Sequence, residues 1–148
     1  MARPNLRVAM PLTVMVRDVM DKRVVPVIYM ATVDEAVKKM LENNVWSLVV
    51  ERKGAPWGVV TERDVIRRCV AKGLSTAKTS VGSISTSPII TISPDATMRE
   101  AMDAMAAREI RRLFVVEKGR IIGRITQTEV FQSTIDVMET LTSLSNVQ

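Results

Sequence analysis

Residues 58–65 read GVVTERDV, and residues 123–130 read GRITQTEV. Each runs from a glycine through two residues to a threonine, places a carboxylate three positions later, and follows it with valine: Thr61, Asp64 and Val65, then Thr126, Glu129 and Val130. The spacing starts a helix, because the threonine hydroxyl accepts from a backbone N–H and the carboxylate reaches back to the cap. The echo lies 65 residues downstream, and a shift by 65 superposes residues 16–65 on 81–130 without a gap. Identity falls at 13 of 50 positions: Val16, Ala31, Thr32, Glu35, Ala36, Met40, Leu48, Val50, Lys53, Gly54, Gly58, Thr61 and Val65. A duplication of this length sets the architecture before any element is assigned.

Each copy reads in the same order. A short apolar run, VVPVI at 24–28 or IITI at 89–92, suits a strand. Thr32 to Glu35 and Thr97 to Glu100 are further capping boxes, each heading an apolar stripe at helical spacing. A second strand over 45–50 or 110–116 turns at Lys53-Gly54 or Lys118-Gly119 into a third strand, which ends at Thr61 or Thr126. A closing helix follows, over 62–72 in the first copy and near 127–143 in the second. The expectation is an α+β fold of two β-α-β-β-α repeats: an N-terminal extension at 1–11, units at 12–73 and 83–148, the second with a C-terminal helix, and a linker at 74–82.

Composition removes several kinds of function. The chain has no histidine and one cysteine, Cys69, so imidazole bases, Cys/His zinc sites and an internal disulfide are out of reach. Cys69 shares an apolar stripe with Val65 and Ile66, which makes it a packing residue. Aromatics at 3% leave little for base stacking. No apolar run reaches the roughly 18 residues of a membrane span, and no activated nucleophile is legible. The expectation is a cytoplasmic, non-catalytic protein without a membrane role. A formal charge of +5 fits a preference for anions.

The duplicated unit, with its Gly-x-x-Thr-x-x-Asp close, resembles the CBS domain, the module named after cystathionine beta-synthase, over about residues 12–143. The resemblance implies a stand-alone tandem pair, or Bateman module. Two sheets would pack with pseudo-twofold symmetry and leave two clefts for an adenine nucleotide such as AMP, ADP or ATP. It also implies a homodimer and a protein partner that reads occupancy. Helices 32–42 and 98–106 and the closing helices are the candidate faces.

Carried over position by position, the resemblance builds cleft one from Thr61, Asp64, Ser85 and Ile90, with Arg111 and Arg112 in the place of a phosphate-binding basic pair and Arg63 as a further phosphate contact. Cleft two would join Thr126 and Glu129 to Met20, Val25, Trp46 and Ser47. Cleft two lacks the arginine pair, so it is expected to bind weakly, to stay empty or to take an uncharged ligand. A carboxylate at a helix start suits ribose hydroxyls, and arginine suits phosphate. Both motifs also have a plain structural sense. Thr61 and Asp64 cap a helix whatever else they do, and exposed arginines blunt a strand edge. Adjacent strand residues point to opposite faces, so Arg112 rather than Arg111 is expected to enter the cleft. Two readings compete: nucleic-acid binding, which rests on the net charge and the cluster of Arg63, Arg67, Arg68 and Lys72, and an interaction module with no ligand.

Overall fold

Two three-stranded sheets, one from each copy of the repeat, carry the fold of residues 13–146, which the computed structural model describes. The expected N-terminal extension at 1–11 lies outside the described residues. The first copy contains helix α1 (Val16–Val19), strand β1 (Pro26–Ile28), helix α2 (Val33–Asn43), strands β2 (Ser47–Arg52) and β3 (Ala55–Thr61), and helix α3 (Glu62–Arg68). The second contains α4 (Val81–Ile84), β4 (Thr91–Ile92), α5 (Met98–Ala107), β5 (Arg112–Glu117), β6 (Arg120–Thr126) and α6 (Gln127–Ser145). In each sheet the first strand runs parallel to the second, and the second pairs antiparallel with the third.

The local chemistry explains the repeat. Lys53 and Gly54 both take positive φ, as do Lys118 and Gly119, which is the two-residue turn whose twist matches a hairpin. All four capping boxes predicted from threonine and carboxylate spacing close at the heads of α2, α3, α5 and α6. The expected helix over 62–72 stops at Arg68. Cys69 is wholly buried, and a 3-10 turn over Val70–Lys72 tightens the end before Gly73 takes the left-handed conformation. The first strands are shorter than the apolar runs suggested, because only 26–28 and 91–92 pair along their neighbours.

Strand alternation divides each sheet into two faces. Leu48, Val50 and Val60 turn inward onto α2 and α3, and Leu113, Val115 and Ile125 do the same beneath α5 and α6, forming two separate cores. The opposite faces carry Ser47, Val49, Val59 and Thr61 from one sheet and Arg112, Phe114, Arg124 and Thr126 from the other. Val49 and Phe114 are buried yet belong to neither core. They lie where the sheets pack on each other.

Each core is completed by the short helix that leads into the other copy. Val16 of α1 is fully buried in the second core, its amide donating to Ala96 O at 2.8 Å. Val81 of α4 is fully buried in the first, its amide donating to Ala31 O, also at 2.8 Å. The stretch 74–82, expected as a linker, is therefore fastened to the first unit. Val33 N donates to Thr79 O and Asp34 N to Thr76 O, and Val81 and Gly82 are buried.

Candidate functional site: two unequal clefts

The exchange of leading helices brings the chain after each of them across the third strand of the opposite sheet. Val59 and Thr86 trade backbone hydrogen bonds of 2.8 and 2.9 Å, and Asp21 and Arg124 trade two of 2.9 Å. Glycine is needed beside both crossings: a Cβ on Gly58 would lie 2.6 Å from Thr86 O, and one on Gly123 would lie 2.9 Å from Asp21 O. The glycine that opens GVVTERDV and its echo GRITQTEV thus allows the opposite segment to approach.

Cleft one is a cavity of about 390 Å³ between the units. Its apolar wall is Val59, Pro88, Ile89, Ile90, Ile110 and Phe114. Its polar rim is Thr61, Glu62, Arg63, Thr86 and Glu109, with Arg111 and Arg112. Five of the residues expected here, Thr61, Arg63, Ile90, Arg111 and Arg112, line the space together. Asp64 and Ser85 stand behind the lining. The Asp64 carboxylate accepts from Thr61 N at 2.9 Å and Thr61 Oγ1 at 3.0 Å, and its other oxygen is 3.6 Å from Arg68 Nε. Ser85 Oγ donates to Val81 O.

Arg112 is the distinctive group of cleft one. It is half-buried, whereas Arg111 beside it is exposed, and its Nε is buried with no hydrogen-bond partner among the described residues. Burial first, then the neighbouring Arg124 charge, hold its pKa below the usual arginine value, against the opposing pull of Glu62, Glu129 and Asp64. Arginine stays protonated under such a shift, so the group is a partly desolvated cation.

Cleft two is built differently. Arg124, which the sequence reading did not single out, is 8% exposed and fills the position that Val59 holds in cleft one. Its guanidinium donates to Asp21 Oδ2 at 3.1 Å and to Ser47 Oγ at 3.2 Å. Arg23 binds the same aspartate at 2.7 Å, and this pairing, assisted by Arg124, holds the Asp21 carboxyl well below the usual carboxylate range. Of the residues expected in cleft two, Ser47 is buried against Arg124, Met20 packs over Gly123, and Val25 accepts from Val49 N. Thr126 and Glu129 close their capping box, and Trp46 is half-exposed. The signal for Arg124 lay in the repeat itself, as an arginine on a cleft-facing strand position where the other copy has valine.

The basic cluster of Arg63, Arg67, Arg68 and Lys72 does not act as one surface. Arg68 folds back to donate to Ile84 O, Ser85 O and Thr86 Oγ1, while Arg63 faces the cavity. Among the described residues no helix is long and apolar enough to cross a membrane.

A family model described as the CBS domain matches residues 16–71 and 81–136. A mitochondrial CBS domain-containing protein of Arabidopsis thaliana is 35% identical over 109 residues, covering 70% of this chain and 53% of its own length. The chain spans about half the length of the curated relatives it first matches. The crystal structure of an uncharacterised conserved protein of Pyrococcus horikoshii superposes with a TM-score of 0.76 at 29% identity, covering 84% of this chain and 95% of that one. A hexameric CBS-CP12 protein from bloom-forming cyanobacteria gives 0.78 at 27%, covering 86% and 76%.

Proposed function

The chain belongs to the CBS domain family, whose tandem pairs are generally regulatory and ligand-binding, and on that premise we propose that it senses an adenine nucleotide in cleft one. The observation that carries this reading is the cavity itself: apolar walls beside a half-buried arginine whose Nε has no hydrogen-bond partner among the described residues. A purine between Ile90, Ile110 and Phe114 would shed water, and a phosphate would supply Arg112 with the acceptors it lacks, aided by Arg63 and Arg111 at the mouth. Asp64, anchored through Thr61 at the head of α3, would turn its second carboxylate oxygen from the long 3.6 Å pairing with Arg68 to a ribose hydroxyl. No residue in this assignment performs covalent chemistry. The module works by occupancy, passed to a partner protein through a difference in affinity between two states.

Titration calorimetry with AMP, ADP and ATP tests the reading on the whole chain. Heat of binding saturating near one equivalent is expected for at least one of them. No binding at millimolar ligand would sink it. The reading includes a cytoplasmic setting and a homodimer. Phe131 on α6 and Met102 on α5 are 68% and 49% exposed along a groove between those helices, an apolar surface suited to a second copy. Light scattering should then show Phe131→Glu as a monomer at concentrations where the unmodified chain is dimeric.

A further inference from the structure

The two clefts differ at one pair of facing positions in a way that assigns an anion to one of them and withholds it from the other. Val59 and Thr86 bridge their backbones just as Arg124 and Asp21 do, and a shift of 65 residues interchanges the pairs. The four side chains therefore occupy corresponding places. In cleft one both are uncharged, and the cation arrives from β5 as Arg112. In cleft two the cation arrives from β6 as Arg124, and the counterpart of Arg112 is the uncharged Ser47. Each cleft thus holds one arginine on its cleft-facing sheet, Arg124 buried and Arg112 half-buried.

What differs is the answer to that charge. Arg124 meets the Asp21 carboxylate at 3.1 Å, with the ion pair only 9% and 13% exposed. Arg112 enters no ion pair or side-chain hydrogen bond among the described residues, because Thr86 stands where Asp21 stands in the other cleft. A partly buried cation without an ion-pair partner is costly, whereas a paired one is tolerated. Among the described residues no carboxylate forms an ion pair with Arg112, which leaves that place in cleft one to a ligand's anion.

We propose that Asp21 is a built-in anion that closes cleft two to phosphate-bearing ligands, and that the choice of aspartate at 21 and threonine at 86 sets the stoichiometry at one nucleotide per chain. The assignment of one anion to cleft one rests on the function proposed above, while the closure of cleft two stands on Asp21 and Arg124 alone.

The test compares the full chain with Asp21→Thr, which gives cleft two the residue of cleft one, and with Thr86→Asp, which does the reverse. Calorimetry with AMP and, separately, inorganic pyrophosphate reads equivalents bound. Asp21→Thr should bind one equivalent more than the unmodified chain with at least one of the two probes. Thr86→Asp should weaken binding in cleft one at least tenfold. No binding by the unmodified chain would overturn the nucleotide reading, whereas no difference in equivalents between it and Asp21→Thr would overturn the role of Asp21. Should Asp21→Thr fail to fold, Thr86→Asp decides, since Thr86 is exposed. Full affinity in that variant, with its unfolding temperature unchanged, overturns the proposal.

Discussion

Gly58 lies directly beneath the carbonyl of Thr86, so close that a Cβ there would stand 2.6 Å from the oxygen. The obstacle is backbone, held by the two hydrogen bonds of the Val59 and Thr86 bridge, and it cannot swing aside as a side chain would. Gly58→Ala is expected to lower stability by about 1–3 kcal/mol, the usual cost of overpacking. Urea unfolding would show it as a lower midpoint. Because Thr86 lines the cavity, nucleotide affinity should fall in the same variant.

Arg112 presents the opposite balance. Its half-buried charge has no ion-pair partner among the described residues, so Arg112→Leu is expected to leave the unfolding midpoint unchanged or to raise it. Losing an arginine–phosphate contact should weaken AMP binding by about 5- to 150-fold, the equivalent of 1–3 kcal/mol. A variant that binds AMP normally would remove Arg112 from the site.

Asp64 has two tasks that can be separated. Its carboxylate completes the cap of α3, so Asp64→Ala should cost about 1 kcal/mol of stability, as lost caps do. Glu129 completes the same cap on α6, which makes Glu129→Ala the matched control. Both variants should unfold earlier. Only Asp64→Ala should also lose nucleotide affinity in calorimetry.

Asp21 should be visible in the acid limb of the stability curve. Its carboxyl is held below the ordinary value by Arg23 and Arg124, so its contribution is complete above the unfolded-state value of about 4. Lowering the pH below that protonates the unfolded chain first, and the contribution fades as the folded value is approached. Asp21→Asn should therefore be the less stable protein at neutral pH, and the gap should narrow below about pH 4. A gap independent of pH would show that the ion pair does not contribute.

Much of the fold was legible because the repeat is. The capping boxes, the hairpin turns at Lys53-Gly54 and Lys118-Gly119 and the inward apolar stripes are local consequences of short sequence patterns, and they recur in register. The exchange of leading helices was not legible. Val16 and Val81 are identical in both copies, and local pattern cannot say which of two equivalent cores an apolar residue enters. Five of the seven residues expected in cleft one do meet around the cavity; alternation accounts for Thr61 and Arg112, whereas Arg111, expected to point away, precedes β5 and lines the cavity too. Arg124 is not legible from the positions the copies share, because its meaning lies where they disagree, against Val59 and opposite Asp21.

The crossing of the two leading helices bears on how such a chain can come apart or come together. A half-length polypeptide with its own leading helix would leave one hydrophobic socket vacant and one plug unused, and a second identical half would fill both. Two separate halves contain every contact that the joined chain uses, so a break between 74 and 79 should leave fragments that clasp one another. The tether holds two partners that already fit.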